Sequence, residues 1–217
     1  MTDAEPSDAR YYARFAAAYV RGMLSVTDDR PEADLIALGR SEGLKLHRFK
    51  RTMDLPRVKA ALGALHGIQP ESLLDIGSGR GVFLWPLLDA FPDLAVTAID
   101  LLEHRRAVLE AVRAGGIDRL SVHDMSVTEL GFGDDSFDVA TVLEVLEHLV
   151  EPAQAVRELV RVARRFVVAS VPSKEDDNPE HIQLFDGAAL ERMFTDAGAR
   201  SVTVTYVRGH IVCVATL

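Results

Sequence analysis

Two carboxylates and an imidazole lie close together in the segment Glu144-Val-Leu-Glu147-His148, and a second imidazole, His181, follows in a later polar segment. If residues 144–148 turn helically, the three side chains share one face, because positions three and four apart are neighbours on a helix. Carboxylates and imidazoles bind divalent metals such as magnesium, manganese or zinc. The first interpretation is therefore a metal site that acidifies or orients a substrate hydroxyl. Its predicted ligands are Glu144, Glu147, His148 and His181.

Two other interpretations of this segment stay open. In one, His148 alone is a general base that removes a hydroxyl proton, because histidine titrates near neutrality. In the other, Glu144 contacts a bound ligand or solvent, and His148 only completes a helix end. The residues predicted to take part in catalysis are His148 and Glu144.

A glycine-rich turn forms the second group of candidate residues. Residues 73–83 indicate an apolar strand that ends in an acid, a tight loop, and an apolar helix from Val82. Glycine permits positive φ and lets a ligand approach the main chain closely. The acid and the glycines are Asp75, Gly77, Gly79 and Gly81. A second acid, Asp100, ends the next apolar run, where it could hold ribose hydroxyls.

Taken together, these motifs resemble the class I S-adenosylmethionine-dependent methyltransferases, from about Glu71 to the C-terminus. The resemblance implies that the turn wraps the amino-acid end of the cofactor, that Asp100 binds the ribose, and that the loop after the third strand contacts adenine. The cofactor-binding residues implied in this way are Asp75, Gly77, Gly79, Gly81, Asp100, Leu101, Asp124 and Met125. An NAD-type Rossmann domain would explain the glycines and Asp100. It would not explain Asp75, the pair Asp124-Met125, or the segment 134–140, which resembles the lead-in to the fourth strand of the methyltransferases.

The resemblance also implies a type of acceptor. The Glu-x-x-Glu-His pattern is similar to that of quinone-pathway O-methyltransferases and of small-RNA terminal 2′-O-methyltransferases, and the whole chain resembles actinobacterial sugar O-methyltransferases. The Asn- or Asp-Pro-Pro-aromatic element of nitrogen acceptors is absent, and Leu143-Glu144-Val145 stands in its place. The expected activity is methyl transfer to a hydroxyl of a small molecule, with a sugar or polysaccharide precursor favoured. The alternatives are a phenol or quinone precursor, an RNA terminus, an NAD-dependent oxidoreductase, and a non-catalytic cofactor-binding subunit.

One basic cluster, Lys45-Leu-His-Arg48-Phe-Lys-Arg51, interrupts an otherwise acidic chain. It is either a solvated helix face or a source of one cation that closes over the cleft. In the second case, Arg48 or Arg51 would pair with the cofactor carboxylate or an anionic substrate.

Composition limits the class of protein. The chain has 217 residues, 48% of them apolar, and a net charge of −9, which argues against a broad nucleic-acid surface. No apolar run approaches the roughly 20 residues needed to cross a bilayer, and the acidic start lacks the features of a signal peptide. With a single cysteine, Cys213, the chain is expected to be cytoplasmic. A homodimer is one option for its oligomeric state.

The order of apolar segments predicts how these residues are positioned. Helical patterns from about Asp8 to Leu65 precede short apolar runs that alternate with helices, which is typical of a parallel sheet covered on both faces. The predicted strands are Ser72–Ile76, Ala95–Ile99, Leu120–His123, Val139–Leu143, Phe166–Val171, Ser201–Val207 and Ile211–Thr216. The last two are joined by three residues, too few for a crossover, so they should be antiparallel.

The predicted fold class is therefore α/β: a Rossmann-like, doubly wound, mostly parallel seven-stranded sheet with an antiparallel last strand and an N-terminal helical extension. Residues 1–70 would form a helical cap packed on the core, and residues 71–217 the cofactor-binding domain.

Overall fold

A computed structural model of the chain describes residues 12–175 and 177–217. They form one seven-stranded sheet in the order β3-β2-β1-β4-β5-β7-β6. The strands are β1 Ser72–Ile76, β2 Ala95–Ile99, β3 Leu120–His123, β4 Phe137–Leu143, β5 Ala163–Pro172, β6 Ser201–Val207 and β7 His210–Thr216. Strands β1 to β5 pair in parallel, and β7 runs antiparallel to both β5 and β6. The predicted fold class is confirmed.

Seven α-helices connect or cover these strands. They are α1 Ala13–Leu24, α2 Glu32–Ser41, α3 Pro56–Ile68, α4 Leu84–Ala90, α5 Glu103–Ala114, α6 Pro152–Val162 and α7 Gly187–Asp196, counted over the part of the chain that the structure describes. The helix predicted from Val82 begins at Leu84. The start predicted for the N-terminal helical region, about Asp8, lies outside the described residues.

Strands β4 and β5 are longer than the sequence pattern predicts, because charged residues pair between them. Asp138 on β4 is buried, and its carboxylate accepts hydrogen bonds from Arg164 on β5 and from the main-chain N–H of Glu71. The main-chain N–H of Asp138 donates to Ser72 Oγ at the start of β1. These charges interrupt the apolar pattern in the sequence, but their partners let the strands continue.

The N-terminal helices and one face of the sheet share a single hydrophobic core. Buried side chains of α1, α2 and α3, such as Phe15, Leu35 and Leu65, belong to the same cluster as Leu73 of β1 and Val139 of β4. A second cluster fills the other face, beneath α6 and α7. The described part of the N-terminal region thus packs directly on the sheet, while the domain division at residue 70 remains a prediction.

Helix α3 matters for the site because its first turn lies beside the glycine-rich loop. Pro56 occupies the first turn of the helix, where its missing N–H costs nothing. Just before it, Thr52 Oγ1 donates to the main-chain oxygen of Val82, with a donor–acceptor distance of 2.6 Å. This contact ties the start of α3 to the chain that leaves the glycine loop.

Candidate functional site

A cleft opens at the carboxyl ends of β1 and β4, where the strand order reverses and α/β sheets bind their ligands. Two adjoining cavities make up this cleft, with volumes of about 360 Å³ and 400 Å³. Both are lined by Ile76, Gly77, Arg105, Glu144, His148 and Glu180. The smaller cavity is mainly polar and extends to Asn178 and His181, whereas the larger is mainly apolar and extends to Leu101 and Met125.

The glycine-rich loop forms the floor of the cleft, and its three glycines have different roles. All have positive φ: +64° at Gly77, +58° at Gly79 and +79° at Gly81. A Cβ at Gly77 would lie 2.6 Å from Val145 Cγ2, and one at Gly81 would lie 2.1 Å from the Trp85 indole. A Cβ at Gly79 would have as its nearest neighbour a main-chain oxygen, at 3.4 Å. Packing therefore requires glycine at the first and third positions, and Gly79 is the one that leaves room on the cleft side.

Asp100 holds this loop in place, a role that the sequence did not reveal. Its carboxylate is almost fully buried and accepts hydrogen bonds from the main-chain N–H groups of Gly79 and Leu102, both at 2.9 Å. The guanidinium of Arg105 lies 3.7 Å from the same carboxylate. Since a carboxylate has about four acceptor positions, the two amides leave capacity for ribose hydroxyls.

Asp75 lies beneath the loop as a buried acid. Its carboxylate accepts hydrogen bonds from the hydroxyls of Ser78 and Thr141, both at 2.7 Å, and it also lines the polar cavity. Burial raises the pKa of Asp75 from 3.8 to about 6, the two hydroxyls oppose the shift, and the charge of Asp100 adds to it. A cation in the polar cavity would stabilise the ionised form of Asp75.

Only one of the two residues predicted to contact adenine lines the cleft. Met125 lines the larger cavity together with Leu101. Asp124 instead pairs with Arg106 at 2.9 Å, and its side chain, 64% exposed, is not among the residues that line the cleft. The structure therefore gives no support to a direct contact between Asp124 and a ligand in the cleft.

His148 lies where both cavities meet. Its Nδ1 is 2.8 Å from the main-chain oxygen of Glu180. A carbonyl oxygen only accepts, so in the neutral ring Nδ1 carries the proton and Nε2 is the proton acceptor. The ring of His181 packs edge-on against it, with the centroids 4.8 Å apart. The segment after β5 therefore lies against the segment after β4 at this point.

Glu147, His148 and His181 form a group that could hold a metal ion. One ligand atom from each lies within 4.8 Å of the other two, and His181 Nε2 is 4.0 Å from a carboxylate oxygen of the buried Glu147. The main-chain N–H of Ile182 donates to the main-chain oxygen of Glu147 and fixes the segment after β5 on the segment after β4. Two imidazoles and one carboxylate fit zinc or manganese better than magnesium, which prefers oxygen ligands.

Glu144 does not join this group, so the four-ligand prediction needs correction. Residue 144 has φ of +58°, and a 3₁₀ helix begins only at Leu146, so the single helical face assumed from the spacing does not form. The Glu144 carboxylate instead accepts a hydrogen bond from Ser170 Oγ at 2.7 Å and lies 3.0 Å from His210 Nε2. It still lines both cavities.

Comparison with known proteins shows which proteins this chain is similar to. Residues 74–166 match the family model described as "Methyltransferase domain". The chain is 27% identical over 158 residues to an O-methyltransferase of Penicillium expansum, covering 66% of this chain and 57% of that protein. It is 37% identical over 110 residues to a demethylmenaquinone methyltransferase of a Roseiflexus species, covering 50% and 44%. These matches support a class I S-adenosylmethionine-dependent methyltransferase.

A solved structure shows the same fold. A methyltransferase of Aquifex aeolicus superimposes with a TM-score of 0.64 at 23% identity, covering 76% of this chain and 91% of that one. The chain spans only about half the length of the curated relatives named above. Among the described residues, no helix of this methyltransferase is long and apolar enough to cross a membrane.

The structure does not place Arg48 or Arg51 of the basic cluster among the residues that line the cleft. Arg48 lies over the ring of Tyr19, and Arg51 lies over the ring of Tyr12, so both side chains pack on the N-terminal helix, and neither lines the cleft. Arg57, in the first turn of α3, does line the cleft, as do Arg80 and Arg105, and its side chain is 19% exposed. The only sequence signal for it was a proline-initiated helix with an arginine in its first turn.

The raised pKa of Asp75 predicts a pH dependence of stability. Because its pKa is higher in the folded protein (about 6) than its ordinary value of 3.8, the folded state binds the extra proton between these values. The free energy of unfolding should therefore fall by about 2 kcal/mol from pH 4 to pH 7 relative to Asp75→Asn. Urea unfolding of both proteins across this range measures the difference. A difference that is constant with pH would contradict the prediction.

Proposed function

We propose that the chain transfers the methyl group of S-adenosylmethionine to a hydroxyl of a small molecule. The observation that carries the proposal is the position of His148. Its imidazole lines the same cleft as the glycine loop and Asp100, with Nδ1 fixed on a carbonyl oxygen and Nε2 able to accept a proton. A hydroxyl needs to lose a proton as it attacks the methyl group, and an imidazole does this near neutral pH.

The division of the cleft supports an orientation for the cofactor. The apolar cavity with Leu101 and Met125 suits adenine, Asp100 suits the ribose, and the polar cavity suits the amino-acid end. There the cofactor ammonium would approach the buried carboxylate of Asp75, and its carboxylate would approach Arg57. The sulfonium methyl would then lie near the junction of the cavities, at His148. Alignment of donor and acceptor there would supply much of the rate.

For the acceptor, we propose a hydroxylated small molecule, with a sugar or polysaccharide precursor as the first choice. The support is the polar wall of the smaller cavity, where Asn178, Glu180 and Arg80 offer donors and acceptors to several hydroxyls. A phenol or quinone precursor is the second choice, because a demethylmenaquinone methyltransferase and a ubiquinone biosynthesis O-methyltransferase each match about half of the chain. The net charge of −9 disfavours RNA.

Metal assistance is a second part of the proposal. Glu147, His148 and His181 would hold the ion, and a bound divalent ion would lower the pKa of a hydroxyl coordinated to it. In the metal-free form of the mechanism, His148 takes the hydroxyl proton on Nε2, while the carbonyl of Glu180 keeps the ring in position. Zinc and manganese are the ions favoured by this set of ligands.

A methyl-transfer screen tests the proposal. Purified protein is incubated with S-adenosylmethionine labelled in the methyl group and with panels of sugars, phenols and RNA, and label is counted in each product. We expect transfer to one class of hydroxyl and binding of S-adenosylhomocysteine by calorimetry. Binding of the cofactor product without transfer to any hydroxyl would overturn O-methylation. No binding, together with binding of NAD, would overturn the cofactor assignment as well.

A further inference from the structure

His210 is a histidine next to the cleft that the proposed mechanism does not use. It begins β7 and pairs with Pro172 at the end of β5, which places it at the carboxyl edge of the sheet. Its Nε2 lies 3.0 Å from Glu144 Oε2, and its Nδ1 lies 3.2 Å from the main-chain oxygen of Arg208. One ring nitrogen is therefore directed at an acid that lines both cavities.

Two nitrogen groups approach the same oxygen of Glu144. Oε1 of Glu144 is taken by the hydroxyl of Ser170 at 2.7 Å. Oε2 is approached by His210 Nε2 at 3.0 Å and by Arg57 Nε at 3.7 Å. Only the first distance is that of a hydrogen bond, since N–H···O bonds span about 2.7–3.2 Å. His210 thus holds the direct position, and Arg57 is left at the longer distance.

The main chain of Glu144 is held in place by its conformation and by a hydrogen bond. It has φ of +58°, which is unusual for a residue other than glycine, and its main-chain N–H donates to the main-chain oxygen of Ser170 at 2.9 Å. Its main chain is therefore held at the rim of the polar cavity, and its carboxylate lies between Ser170 and His210.

We infer that His210 is a positioning residue that keeps Arg57 available to the carboxylate of the cofactor. His210 takes the nearer position on Oε2 of Glu144, and Arg57 Nε stays at 3.7 Å, outside the range of a direct, charge-assisted hydrogen bond with that acid. The guanidinium then stays in the polar cavity and can pair with an incoming carboxylate. This inference rests on the proposed function, in which the amino-acid end of the cofactor occupies that cavity.

Calorimetric binding of two ligands tests the inference. S-adenosylhomocysteine carries the amino-acid end, whereas methylthioadenosine lacks it but keeps the adenine, ribose and sulfur. We expect His210→Phe to weaken S-adenosylhomocysteine about tenfold, as for one charged hydrogen bond, and to leave methylthioadenosine within about twofold. His210→Gln keeps a donor toward Glu144 and should bind S-adenosylhomocysteine nearly as the wild type does.

A double variant separates competition from simple disruption. If Arg57 forms a direct hydrogen bond with Glu144 when His210 is absent, adding Glu144→Gln to His210→Phe removes the charged acceptor. The double variant should then recover most of the affinity for S-adenosylhomocysteine. Arg57→Ala should lose affinity for S-adenosylhomocysteine whatever stands at position 210. The control is His66→Phe in the last turn of α3, whose ring stacks on Phe91 away from the cleft.

The outcomes distinguish the inference from the proposed function. Two results would overturn the role of His210. One is an equal loss of affinity for both ligands in His210→Phe. The other is an unchanged affinity for S-adenosylhomocysteine in His210→Phe while Arg57→Ala binds it more weakly. Full affinity in Arg57→Ala would overturn the pairing of Arg57 with the cofactor, and the role of His210 with it. A wild-type protein that binds neither ligand would overturn the proposed function. Thermal unfolding checks that each variant is folded.

Discussion

Replacement of His148 by alanine should lower the rate of methyl transfer by about 10²–10⁴-fold, the usual contribution of a general base. Affinity for S-adenosylhomocysteine should change little, because the ring contacts Glu180 and His181 rather than the glycine loop. Single-turnover rates and calorimetry measure the two quantities separately. A variant that keeps its turnover would remove His148 from the mechanism.

Chelation then separates the two roles proposed for this histidine. If a metal held by Glu147, His148 and His181 acidifies the substrate, activity should disappear after exhaustive chelation and return with zinc or manganese. In that case His181→Ala should be nearly as inactive as His148→Ala. Full turnover in chelated protein shown by elemental analysis to be metal-free would leave His148 as a base, and His181→Ala should then retain most of the activity.

Replacement of Asp100 by alanine should have the largest effect on cofactor binding. The change removes acceptors for the ribose and also the hydrogen bonds that hold Gly79 and Leu102. Each hydrogen bond to a charged group contributes about 1.5–3 kcal/mol, so affinity for S-adenosylhomocysteine should fall by about 10- to 150-fold.

The matched control for Asp100 is Asp134→Ala. That aspartate pairs with Arg161 on α6 and has an exposed side chain. Calorimetry of both variants compares the loss of an acid in the cleft with the loss of one outside it. Similar affinities in the two variants would contradict the role assigned to Asp100.

Much of the sheet could be predicted from the sequence, because burial on both faces makes parallel strands almost continuously apolar. Strands β1, β2, β3 and β6 have the predicted boundaries. The largest differences occur where a charge pair enters the sheet: Asp138 with Arg164 lengthens β4 and β5 beyond their apolar runs, whereas β7 begins one residue earlier than predicted. A partner in another strand cannot be found from local periodicity.

The cleft was predicted less completely, for related reasons. Glycine spacing identified the loop, since positive φ and close packing leave a local signature in the sequence. Spacing alone suggested that Glu144 shares a helical face with His148, but a left-handed residue at the strand end turns the two apart. Arg57 was missed because only the packing of α3 on the sheet brings it to the cleft.

The hydrogen bond between Thr52 and Val82 joins the start of α3 to the chain that leaves the glycine loop. In the proposed orientation, α3 provides Arg57 to one end of the cofactor, while the segment after β2 provides Asp100 and Leu101 to the other. A bound cofactor would then cross-link the N-terminal helices to the sheet non-covalently. Because binding stabilises every contact that the bound state requires, cofactor concentration would set the unfolding free energy of the helices as well as that of the loop.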